Sequence, residues 1–115
     1  KCSIKDVKGY EPLVQDEMLS AVFEDNALLF TTPDKIYHNV NMTGSTDMGD
    51  LSQIMPAIQP TMGGFNGPLH GKDFAITDME TVYISASKIL AATVYDLLKD
   101  NAKCALKIKD NFKKK

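Results

Sequence analysis

Between residues 16 and 30 the apolar positions fall at three- and four-residue intervals: Met18, Leu19, Val22, Phe23 and the cluster from Ala27 to Phe30. That spacing puts them on one face of a helix. Asp16 just ahead of them suits an N-cap, so a helix is expected over 16–30. Thr31-Thr32-Pro33-Asp34 ends it, because proline offers no amide to the hydrogen-bond ladder. The second and clearer pattern opens with Thr77-Asp78-Met79-Glu80, a Thr-x-x-Glu capping box in which hydroxyl and carboxylate satisfy each other's backbone donors. Behind it Val82, Ala86, Ile89, Leu90, Thr93, Val94, Leu97 and Leu98 keep helical spacing on one face. This predicts a long C-terminal helix over 78–108 that frays in a Lys-rich tail at 109–115.

The stretches between these helices read as shorter elements. Residues 1–12 are a lead-in punctuated by Gly9 and Pro12. Lys35 to Met42 is expected to be extended, with Ile36, Val40 and Met42 on one face. Gly44 to Asp47 forms a turn into a short helix over 47–55, closed by Pro56. A short strand is expected from Ala57 to Met62, broken by Gly63-Gly64. Residues 65–72 are irregular, with Gly67, Pro68 and Gly71 as punctuation. Helices alternating with short apolar strands favour an α/β layer arrangement in a single unit, 1–115.

Composition narrows the classes. At 115 residues, 43% hydrophobic and 24% charged, the chain has the make-up of a globular protein, long enough for a core of moderate size. No apolar run approaches the roughly 18 residues needed to span a bilayer, and no signal-peptide pattern opens the chain, so a cytoplasmic protein without a membrane partner is expected. With Lys1 in place of an initiator Met, the expectation is an engineered expression product, a processed product or a fragment. The net charge of -2 conceals a basic end: Lys99 to Lys115 hold seven Lys against Asp100 and Asp110. All 13 basic residues are Lys, and the absence of Arg argues against base-edge or bidentate phosphate recognition, hence against a nucleic-acid partner. Cys2 and Cys104 are too few for a disulfide framework and lack metal-ligand spacing; free thiols are the default, with one bridge between the ends as the alternative.

Candidate chemistry concentrates between Thr43 and Asp78. His70 sits in Leu69-His70-Gly71-Lys72-Asp73-Phe74, a glycine-rich loop shortly before the long helix. No HxxxH, HxD or CxxC pairing accompanies it, and His38 is the one other histidine. Spacing alone favours a structural or surface histidine, since a catalytic zinc site takes three protein ligands. The neighbouring glycines argue for a ligand, because they let backbone approach a bound group closely. Asp47 and Asp50, in Gly44-Ser45-Thr46-Asp47-Met48-Gly49-Asp50, could ligate a metal or orient a substrate; against that, capping of the short helix is favoured around Asp50 and stands even for Asp47. Gly63-Gly64 reads as a plain turn or as an amide nest for an anion. Met48, Met55, Met62 and Met79 read as core filler.

In order, Gly9-Tyr10-Glu11-Pro12-Leu13, the Gly44-to-Asp50 turn and Leu69-His70-Gly71-Lys72-Asp73-Phe74-Ala75-Ile76-Thr77-Asp78 resemble the carboxy-terminal part of the metal-dependent amidohydrolase and peptidase family. That family includes aminobenzoyl-glutamate hydrolases, aminoacylases and auxin-conjugate hydrolases, and the Gly-Ser-Thr-Asp turn is most similar to the first branch. The likeness spans residues 9–100. It implies that His70 is the last ligand of a dinuclear zinc or manganese centre. It also implies that Ser45, Thr46 and Asp47 line the substrate and that Gly63 and Gly64 face its carboxylate end. The implied chemistry is hydrolysis of an N-acyl or N-aroyl amino acid, or of a dipeptide-like amide, by a metal-bridged water that a Glu activates. The other ligands and that Glu belong to an upstream half of the catalytic domain. On this resemblance the chain is a partial catalytic domain, inactive alone, that pairs with the rest of its domain or with a second copy. A free-standing binding module is the competing expectation.

Overall fold

In the computed structural model, residues 1–38, 40 and 44–112 are described; residues 39, 41–43 and 113–115 are not. The order of elements is α1 (Glu17–Ala27), a 3-10 turn (Pro33–Lys35), α2 (Met48–Ser52), β1 (Phe65–Asn66), β2 (Ala75–Ile76), a π-helical turn (Glu80–Ser85) and α3 (Ala86–Asn111). The class is mixed helix and sheet, the sheet being one antiparallel hairpin with Phe65 opposite Ile76 and Asn66 opposite Ala75.

The N-cap at Asp16 forms as its sequence predicts: the carboxylate accepts from the Leu19 amide at 2.9 Å. Helix α1 ends at Ala27, three residues short of expectation. The amides of Phe30 and Thr31 both turn back to the Ala27 carbonyl, tightening the chain into a turn before Pro33. Helix α2 is also shorter than 47–55, with residues 53–55 in turns that return to Asp50 and Leu51.

Two expected extended segments differ from the structure. Ala57 to Met62 forms no ladder; instead the Ala57 carbonyl accepts from Asp16 and the Gln59 amide donates to the Gln15 side chain. Lys35 lies in the 3-10 turn, the described residues of 36–40 are not in a strand, and Met42 lies outside the described residues.

The long helix is present but is neither uniform nor straight. Its first turn is π-helical, and within α3 the backbone leaves helical geometry at Lys99, Asp100, Asn101 and Ala102. Residues Lys109–Asn111, expected to fray, remain helical.

Helix α1 packs on α3. The Asn26 side chain donates to Asp96 at 2.8 Å, and the Lys88 ammonium lies 5.9 Å from the centre of the Phe30 ring, so the two helices run antiparallel. The buried residues are Asn26 and Ala27 on α1 and Ile89, Thr93 and Ile108 on α3. Leu90, Val94 and Leu98, expected on the same buried face, are 60%, 45% and 60% exposed. An 11-residue helix covers one row of α3, and these three lie on the adjacent row. Met55 and Met79 are likewise exposed rather than core filler.

Little of the chain is covered. Its accessible surface is 9347 Å², against roughly 6,200 Å² for a compact monomer of its mass. The radius of gyration is 17.2 Å, where about 13 Å is usual for this length.

Candidate functional site

The hairpin places His70. Strands β1 and β2 are held together by their ladder and by the rings of Phe65 and Phe74, which stack 5.1 Å apart and 8° from parallel. Between them residues 67–74 form a tight loop. Gly67 turns at φ 89, where a side chain would meet the backbone of Asp73. The Gly71 amide donates to the Pro68 carbonyl at 2.8 Å and the Phe74 amide to the Gly71 carbonyl at 3.1 Å. His70 lies inside this turn at φ 64, a left-handed conformation that His tolerates better than most residues. Its side chain is exposed at the hairpin tip.

The base of the hairpin is tied to the start of the long helix. The Gly64 carbonyl accepts from the amides of Thr77 and Asp78 and from the Thr77 hydroxyl. At φ 96, with Val82 and the Asp78 carbonyl crowding its Cα, Gly64 admits no side chain without movement. Gly63 beside it has open space around it. The expected Thr77–Glu80 capping box does not form, because Thr77 is drawn to Gly64. Asp78 caps instead: its carboxylate accepts from the Thr81 amide at 3.0 Å and from the Thr81 hydroxyl at 2.6 Å. Those bonds, the hydroxyl first, hold the Asp78 carboxyl below the usual carboxylate range.

The second polar turn is built differently. Ser45 and Asp47 are exposed and Thr46 is half-buried. The Thr46 hydroxyl accepts from the Met48 amide at 3.3 Å and donates to Asp47 at 3.3 Å, so Thr46 starts α2 while Asp47 makes no cap bond of its own. Asp50 accepts from the Glu11 amide at 2.8 Å. The lead-in runs along α2: the Val14 amide donates to the hydroxyl of Ser52, which is 1% exposed and donates in turn to the Gly49 carbonyl. Gln53 reaches the Pro12 carbonyl at 2.7 Å. Thus the Gly-Ser-Thr-Asp turn packs against the Glu11–Val14 strap, while His70 and Gly64 belong to the hairpin. No described hydrogen bond or ion pair joins the two groups.

Sequence reasoning missed three residues with structural work to do: Asp78 as cap, Gly49 at the strap and Asp96 between the helices. Only Asp78 had a local signal, an Asp three residues before Thr81. Both cysteines are free thiols, Cys2 exposed and Cys104 half-buried. The His38 imidazole lies 3.4 Å from Glu24, on the surface. Among the described residues no three His, Cys, Asp or Glu side chains gather as a metal site, and no helix is long and apolar enough to cross a membrane.

No protein-family model, curated protein or solved structure matches this chain.

Proposed function

We propose that residues 9–100 are the carboxy-terminal segment of a catalytic domain of the metal-dependent amidohydrolase and peptidase type. His70 supplies one ligand to a zinc or manganese centre completed by residues outside this chain. The observation that carries this reading is the ordered run of the Gly-Tyr-Glu-Pro-Leu strap, the Gly-Ser-Thr-Asp turn and the histidine loop directly before the long helix.

The placement of His70 is compatible with a ligand. Its imidazole stands exposed on a loop whose backbone is fixed by two turn hydrogen bonds. One imidazole is a single donor, and a catalytic zinc site takes at least three from the protein. The described residues of this chain therefore hold no complete centre. In this reading Ser45, Thr46, Asp47, Gly63 and Gly64 form part of the wall for an N-acyl or N-aroyl amino acid, with an aminobenzoyl-glutamate-like amide as the model substrate. The large uncovered surface, with Leu90, Val94 and Leu98 outward, suits a segment that packs on the remainder of its domain or on a second copy.

The test is zinc and manganese titration of the purified chain beside its His70→Asn variant, with an assay for metal-dependent hydrolysis of p-aminobenzoyl-glutamate. Binding should be weak, and hydrolysis undetectable. Tight stoichiometric binding lost in His70→Asn, or activity of the chain alone, would overturn the segment reading. The exposed Leu90, Val94 and Leu98 favour a second reading, a non-catalytic interaction module. The two separate on the reading frame upstream, which under the first encodes a His- or Cys-His-rich metal motif and a Glu-Glu pair.

A further inference from the structure

We propose that residues 99–102 are a hinge within α3, and that loss of the Ile108 anchor lets the helix run straight through them. The hinge goes beyond the hydrolase reading and does not depend on it.

Lys99 departs from the helix at ψ 162, and Asp100, Asn101 and Ala102 follow with φ of 53, 57 and 58. Left-handed backbone costs free energy for any residue with a Cβ; Asp and Asn bear it best, and Ala has no side-chain hydrogen bond to offset it. Strain of this kind persists only where the surroundings over-determine it.

Nothing local demands the break. No Gly or Pro lies between Ala86 and Asn111, and the apolar spacing continues across the break: Leu90, Val94, Leu97, Cys104 and Ile108 share one face of an uninterrupted helix. The local preference is therefore for a continuous helix, and tertiary contacts must hold the bent form. They lie on either side of the break. On the near side Asp96 accepts from Asn26 of α1 at 2.8 Å. On the far side Ile108 is 4% exposed, the one buried apolar side chain among the described residues beyond Ala102.

Two packings of one sequence follow. The bent form keeps Ile108 buried and strains three residues; the straight form relieves the strain and gives up Ile108. The near half stays docked through Asp96 in both. The arm that swings carries Lys103, Lys107 and Lys109, so the movement relocates the basic end of the chain.

The experiment is NMR of the wild-type chain and of Ile108→Ala, with Ala102→Gly as an independent check. In the wild type, Asp100, Asn101 and Ala102 should give the strong intraresidue amide-to-Hα cross-peaks that positive φ produces. Ile108→Ala should lose them and gain helical i-to-i+3 connectivities across 97–105. Ala102→Gly should raise the melting temperature by about 4 °C or more, since glycine takes positive φ freely. The proposal is overturned if Ile108→Ala keeps the wild-type pattern, or if the wild type is already continuous. Should Ile108→Ala fail to fold, Ala102→Gly decides: in a continuous helix glycine lowers the melting temperature.

Discussion

The carbonyl oxygen of Glu11 occupies the space that a side chain at Gly49 would fill. Gly49 is buried inside α2, where Ala would ordinarily be the better helix former by about 1 kcal/mol. The overlap reverses that preference, because the obstacle is backbone and the strap cannot step aside without losing its bonds to Asp50, Ser52 and Gln53. Gly49→Ala is expected to destabilise the chain by about 1–3 kcal/mol, the usual cost of overpacking. Thermal melting checks it, and a gain in stability would contradict the docked strap.

Ser52 joins the same strap by chemistry rather than by shape. Its hydroxyl accepts from Val14 at 3.0 Å and donates to Gly49 at 2.7 Å. Ser52→Ala leaves the Val14 amide without its partner at a part-buried site, so a loss of about 1–3 kcal/mol is expected. Hydrogen exchange at the Val14 amide is the more specific readout, and it should quicken in the variant.

The two candidate caps of the long helix can be ranked by experiment. Asp78→Ala removes the acceptor for both the amide and the hydroxyl of Thr81 and should lower stability measurably. Thr77→Ala removes one 3.3 Å bond to Gly64 and leaves the amide bond intact, so it should cost less. The opposite order in a denaturant titration would restore the Thr77–Glu80 box.

Acid should weaken the fold through two carboxylates. Asp96 is held below the usual carboxylate range by its bond to Lys99 first and to Asn26 second, and Asp78 by the Thr81 hydroxyl. A carboxyl depressed in the folded state adds stability above its unfolded value, near 4, and loses it as pH falls through the folded value. The melting temperature should therefore stay level between about pH 7 and 5 and fall below about pH 4. In Asp96→Asn that fall should be shallower.

Elements fixed by neighbours in sequence were legible; those fixed from a distance were not. Asp16 caps α1 because the capping carboxylate and its donor, the Leu19 amide, lie three residues apart, and the glycines around His70 do make a tight hairpin loop. Thr77 was misread because its partner, Gly64, lies 13 residues upstream and arrives only when the hairpin closes. The row Leu90–Val94–Leu98 has a helical period, but which row is buried depends on the length of α1. The break at 99–102 has no marker residue at all. At the candidate site, an exposed and conformationally fixed His70 agrees with a glycine-rich loop, whereas the separate packing of the Gly-Ser-Thr-Asp turn had no signal in the sequence.

The excess of uncovered surface has a calorimetric consequence. The heat capacity increment of unfolding tracks the apolar area newly wetted, and a compact domain of this length shows about 1.4–1.7 kcal/mol/K. A chain that already exposes Leu90, Leu98 and Met79 has less left to wet. Its stability curve is therefore flat and low, its denaturant slope is small, and its melting is broad. Whatever covers that surface sharpens the transition, so the width of the melt reports occupancy before any partner is known.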